Sequence, residues 1–164
     1  MITRIVADLI DVWLALATWR RRAADLWLAL PGDVIGLTVM RLCGGLRPTR
    51  AVPRPNAPAA PPALLVEDPR AGLYLDNVPL RPYAQTLGRY ILARERLPDT
   101  IVRHELEHVR QWSRLGPLYL PFYGLASFVA ILAGRNRYLD NTFEVAARAR
   151  EAESWSPEAR AVAD

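Results

Sequence analysis

The sequence predicts an α+β fold in which one sharply bounded helix lies beside a small antiparallel sheet and an N-terminal helical hairpin comes first. Three observations carry this expectation. Polar residues recur every three or four positions through an apolar N-terminal region, Pro48 to Pro62 holds six prolines in fifteen residues, and short strand-like runs then precede two segments with clear helix boundaries. A chain of 164 residues with 51% hydrophobic and 23% charged residues supports one compact core without staples, and the lone Cys43 excludes an internal disulfide.

In the first element, Arg4, Asp8, Asp11, Ala15, Thr18, Arg22 and Asp25 trace one narrow stripe on a helix otherwise built of Ile, Val, Leu and Trp, expected from Thr3 to Leu30. Pro31 and Gly32 are expected to stop it, Asp33 to cap a second apolar helix over Val34 to Cys43, and Gly44-Gly45 to end that one. Asp8 and Asp11 interrupt the apolar run that a cleaved signal peptide requires. The hairpin, residues 1–47, must bury its apolar surface, which includes Trp13, Trp19 and Trp27. Two partners are open to it: the downstream domain, or an anionic membrane surface with Arg20, Arg21 and Arg22 at the headgroups.

Every basic residue is arginine, and the excess is local. Residues 1–62 hold 8 Arg against 4 acids, a net +4, while residues 63–164 hold 13 of each and sum to zero. The basicity therefore belongs to the N-terminal third, which argues against a general nucleic-acid surface. The expected location is cytoplasmic, peripheral at the inner face of the membrane. Residues 48–62 read as an extended linker leading to a domain over 63–164.

Within that domain, Leu73 to Leu80 reads as strand and turn around Asp76-Asn77, and Gln85 to Arg94 as a strand with Gly88 in its interior. Pro98-Asp99 opens and caps a helix that Gly116-Pro117 closes after Leu115. The next 20 residues, Leu115 to Gly134, carry no charge and have the length of a membrane span. A complete crossing would carry the C-terminal residues about 30 Å away to the other face, so a buried helix from about Gly124 is expected, with a membrane-dipping element as the alternative. A last helix is expected to run to about Glu153, with Asn141 near its start.

The Pro98–Leu115 helix contains His104-Glu105-Leu106-Glu107-His108, the HExxH pattern, using the only two histidines of the chain. Residues four apart lie one helical turn apart, close enough for two imidazoles to share one Zn²⁺, while Glu105 sits beside the ion's open position. With no further His and with Cys43 across the linker, a carboxylate must supply the third ligand, and Glu144 is the best placed. Glu144 has a competing role, because Asn141 and Glu144 also have capping-box spacing.

With these residues the chain resembles the gluzincin zinc metallopeptidases, and more narrowly small bacterial HExxHxxQ zincin-like domains, with Gln111 as the glutamine and Asn141-x-Phe143-Glu144 as the downstream match. The resemblance covers about residues 73–155. It implies zinc-dependent peptide hydrolysis with His104, His108 and Glu144 as ligands and Glu105 as the base that takes the proton of the attacking water. It also implies a strand beside the cleft, through Thr86, Leu87 and Gly88, on which an extended peptide or protein substrate pairs. Tyr138, Tyr90 or Arg148 could donate to the oxyanion. Many gluzincins place an aspartate four residues after the glutamate ligand to orient a histidine; this chain has Arg148 there, leaving Asp140 and Glu107 as candidates for that task. A zinc-binding domain without catalysis, or a membrane-surface scaffold, are the alternative functions.

Overall fold

A computed structural model describes residues 30–54 and 61–151. The expected Thr3–Leu30 helix, with its arginine cluster and tryptophans, lies outside the described residues except for Leu30.

The first described helix, α1, covers residues 30–42. Pro31 and Gly32 do not stop a helix; they lie inside this one. Gly32 and Gly36 serve packing instead. A Cβ on Gly32 would fall 2.6 Å from the Gly88 Cα, and one on Gly36 2.9 Å from the Tyr90 ring, so bare backbone lets α1 approach the sheet. Asp33 is likewise not a cap. Its carboxylate accepts from the Arg89 backbone N–H and Nε, each at 2.7 Å.

Four strands come next in the chain: β1 (Arg50–Val52), β2 (Ala63–Glu67), β3 (Ala84–Leu87) and β4 (Tyr90–Ala93), in the order β1-β2-β4-β3. Two pairings are antiparallel, but β2 and β4 run parallel, so the expected antiparallel sheet is a mixed one. Part of the expected linker is also strand. β1 pairs with β2 through Arg50↔Leu65 and Val52↔Ala63, while residues 55–60 lie outside the described residues. The single strand expected over Gln85 to Arg94 is the β3–β4 hairpin, turned at Gly88, whose φ of +64° suits a tight two-residue loop. The run Leu73 to Leu80 holds no strand; it begins in a one-turn helix, α2 (Gly72–Leu75).

All four β4 residues are buried because the sheet is covered on both faces. Alternation sends Ile91 and Ala93 to one face, with Val52, Ala63, Leu65 and Ala84, against Val102, Leu106 and Val109 of α3 (Asp99–Leu115). Tyr90 and Leu92 point to the opposite face, with Val66 and Leu87, against Met40, Cys43, Leu46 and Leu75. The second helix of the expected hairpin is therefore a layer of the domain, whereas the first, on which the choice between domain and membrane turned, lies outside the described residues.

Helix α3 starts and ends where the sequence places it, although the cap position is Pro98 and Asp99, expected to cap, is the first helical residue, so the helix has no side-chain cap. After Gly116, with φ +55°, helix α4 runs over Tyr119–Leu132, beginning earlier than the expected Gly124 because Pro121 is accommodated in its first turn. The expectation of burial fails here: only Tyr119 and Ala130 of α4 are buried. By length and composition the helical run Asp99–Leu132 could cross a membrane. Yet Gly116 breaks it, and the next helix, α5 (Thr142–Glu151), packs back along α3.

Candidate metal centre

The apolar seam of α3, Val102, Leu106 and Val109, faces the sheet, and the series His104, His108 and Gln111 recurs on the opposite side of the same helix. That side receives α5. Asn141 is buried at the head of α5, where its Oδ1 accepts from the Phe143 N–H at 2.9 Å and its Nδ2 donates to Tyr123 O and Ser127 Oγ on α4. Asn141 thus caps α5 without Glu144, whose carboxylate turns to the histidines.

Three side chains converge. His104 Nε2 and His108 Nε2 are 3.1 Å apart, and Glu144 reaches each of them at 3.4 Å, through Oε2 and Oε1 respectively. Donors of a tetrahedral ion with ligands at about 2.0–2.2 Å lie about 3.3–3.6 Å apart, a range close to these separations. All three residues are buried and form a group able to hold a metal ion.

The surrounding hydrogen bonds direct the lone pairs inward. His104 Nδ1 lies 2.6 Å from Glu151 Oε1, and His108 Nδ1 lies 2.8 Å from Gln111 Oε1, with the Tyr119 hydroxyl 3.1 Å away. With Nδ1–H donating outward in each ring, Nε2 is free to act as a ligand. Gln111 also donates from Nε2 to the Phe143 carbonyl at 3.1 Å, coupling the His108 ring to the start of α5. Glu144 Oε1 accepts from Tyr123 at 2.8 Å, whereas the buried Oε2 has no hydrogen-bond partner among the described residues. An orphaned carboxylate oxygen between two imidazoles is the atom a cation would satisfy.

The electrostatics mark the group as one that draws positive charge. Burial opposes charge on the imidazoles, but contact with Glu144 and the nearby Glu105 outweigh it and raise both, His108 to about 9. Burial would likewise lift Glu144, yet the two imidazoles and Tyr123 hold it well below the usual carboxylate range. Burial and the Glu144 charge push the Tyr123 and Tyr138 hydroxyls well above the usual phenol range, keeping both protonated as donors.

Glu105 lies next to this group, buried, with its Oε2 accepting from Thr86 Oγ1 at 2.7 Å. Thr86 belongs to β3, the sheet edge, and its carbonyl accepts from Trp112 Nε1 at 3.3 Å. Its role is thus to hold Glu105. The Leu87 side chain points into the core on the other face of the sheet, and Gly88 lies at the turn, pressed against Gly32 and Asp33. Tyr90 is removed from the site by strand alternation, which places it in the core facing α1. Tyr138 remains beside Glu144, and Arg148 donates to the Leu139 carbonyl, tying down the loop before α5. Neither acid expected to orient a histidine does so: Glu107 pairs with Arg110 and Arg150, and Asp140 accepts from the Asn136 N–H.

Sequence reasoning missed Glu151, Tyr119, Tyr123 and the anchoring role of Thr86. Glu151 had a signal, since it lies seven residues past Glu144, two turns along one helix face. Tyr119 and Tyr123 had one too, four apart after Pro117. No protein-family model matches the chain, and no curated protein or solved structure matches it.

Proposed function

We propose that this protein is a zinc-dependent peptide hydrolase in which His104, His108 and Glu144 hold the ion and Glu105 is the general base. The observation that carries the reading is the placement of a buried carboxylate, Glu105, beside a buried His104, His108 and Glu144 group that could hold a metal ion. A site that only held metal for structure would have no use for that base.

Zn²⁺ in this position would bring the pKa of a water at its open position toward neutrality and polarise a peptide carbonyl. The chain's own residues do the rest. Thr86 orients Glu105 by donating to one carboxylate oxygen, leaving the other to take the water's proton and later return it to the departing amine. Gln111, Tyr119 and Glu151 fix the two imidazole rings, and Tyr123 fixes the carboxylate ligand. Tyr138, protonated and partly exposed next to Glu144, is the donor available to the developing oxyanion.

The test is hydrolysis of a broad peptide library by the zinc-loaded protein and by Glu105→Gln. Cleavage by the wild type, reduced about 10²–10⁴-fold in a variant that retains its zinc, supports the assignment. A wild type that cleaves no peptide, or a variant as active as the wild type, refutes it.

A further inference from the structure

Helix α4 presents an apolar surface too broad for an ordinary protein contact. At 100° per residue, Leu120, Phe122, Leu125, Phe128, Val129, Ile131 and Leu132 sweep an arc of about 200°, against the roughly 100° stripe by which a helix packs on a core. Each of these side chains is exposed, Leu132 to 72%. Pro121 and Gly124 fall within the arc, so it contains no polar side chain. The inward side is occupied by Tyr119, Tyr123, Ser127 and Ala130, which meet α3 and α5.

We propose that α4 inserts into the interfacial layer of an anionic membrane, with its axis in the plane of the bilayer. A partner protein covers one stripe of a helix, whereas acyl chains surround every exposed side of a helix lying among them. Charge supports the same occupant. Residues 115–134 are uncharged, while exposed arginines stand at both ends, Arg114 before the segment and Arg135 and Arg137 after it, positioned for anionic headgroups. Length limits the depth: 14 residues span about 21 Å, short of the ~30 Å hydrocarbon core, and the shared donors of α3 and α5 require both ends of α4 to return to one side. The inference is independent of the hydrolase reading.

The experiment uses the full chain carrying Phe128→Cys labelled with an environment-sensitive fluorophore, since Cys43 is buried. Arg96→Cys, at an exposed loop position just before the N-terminus of α3, serves as the reference. Vesicles containing phosphatidylglycerol should blue-shift the label at position 128 and allow its quenching by chain-labelled lipid; high salt should weaken the effect, and the reference label should not respond. Leu125→Asp with Phe128→Asp should lower vesicle co-sedimentation at least tenfold with zinc stoichiometry unchanged. An unshifted label on sedimenting protein, or undiminished sedimentation of the double variant, would show that residues 1–29 hold the lipid and overturn the proposal. A label already blue-shifted without vesicles and indifferent to them would overturn it in favour of a second copy or a segment of this chain.

Discussion

His104 Nδ1 and Glu151 Oε1 lie 2.6 Å apart, two helical turns beyond the carboxylate that reaches the same imidazole from its other side. One face of α5 thus serves both nitrogens of one ring: Glu144 at Nε2 and Glu151 at Nδ1. This is the orienting contact that Arg148 cannot make, and it comes from the next turn along that face. Glu151→Ala should weaken zinc binding about 10–100-fold, read by competition with a chromogenic chelator, and Glu151→Gln, which keeps an acceptor, should recover most of the loss. Equal affinities in all three proteins would assign Glu151 to surface charge alone.

Thr86→Val removes the hydroxyl that holds Glu105 and nearly preserves volume. On the proposed mechanism kcat falls with little change in KM or zinc content, because only the base loses its orientation. Loss of zinc in this variant would show that Thr86 supports the fold of the site and not the base.

Gly88→Ala tests the docking of α1 on the hairpin. The turn needs φ of +64°, and a Cβ would fall 2.4 Å from Asp33 N and Asp33 Oδ1. Strain and overpacking together should cost about 1–3 kcal/mol in denaturant unfolding. An unchanged midpoint would mean that residues 30–42 are not held against the sheet.

Glu67 joins β1, β2 and the entry to α3, accepting from Arg50 at 2.9 Å and from the Leu97 N–H at 2.9 Å. Burial would raise its carboxyl, but the Leu97 N–H, Arg50 and Thr49 outweigh this and hold it below its usual value of 4.5. A carboxylate depressed in the folded state contributes stability above its unfolded pKa and loses it as pH falls through the folded one. Glu67→Gln should therefore cost about 1 kcal/mol at neutral pH, with the difference from wild type shrinking as pH drops below about 4.5. A gap that persists in acid would place the effect in packing.

What the sequence determined by itself is local. The bounds of α3, the pairing of His104 with His108 on one face, and Glu105 beside them all follow from helical spacing and from the residues that end helices. Glu144 was reachable by elimination, since the chain has no third histidine. The tertiary structure decided everything that depends on distant partners. Insertion of β4 between β2 and β3 made the sheet mixed, and the resulting alternation put Tyr90 on the face opposite the metal group while Thr86 faced Glu105. Pro31 and Gly32 read as a helix stop because the value of Gly32 to α1 lies in a close approach to Gly88, 56 residues away, which no local pattern encodes. Leu115 to Gly134 read as a buried helix for the same reason: apolar composition states what a segment tolerates, while burial depends on which elements the fold brings to cover it, and among the described residues only one side of α4 receives any.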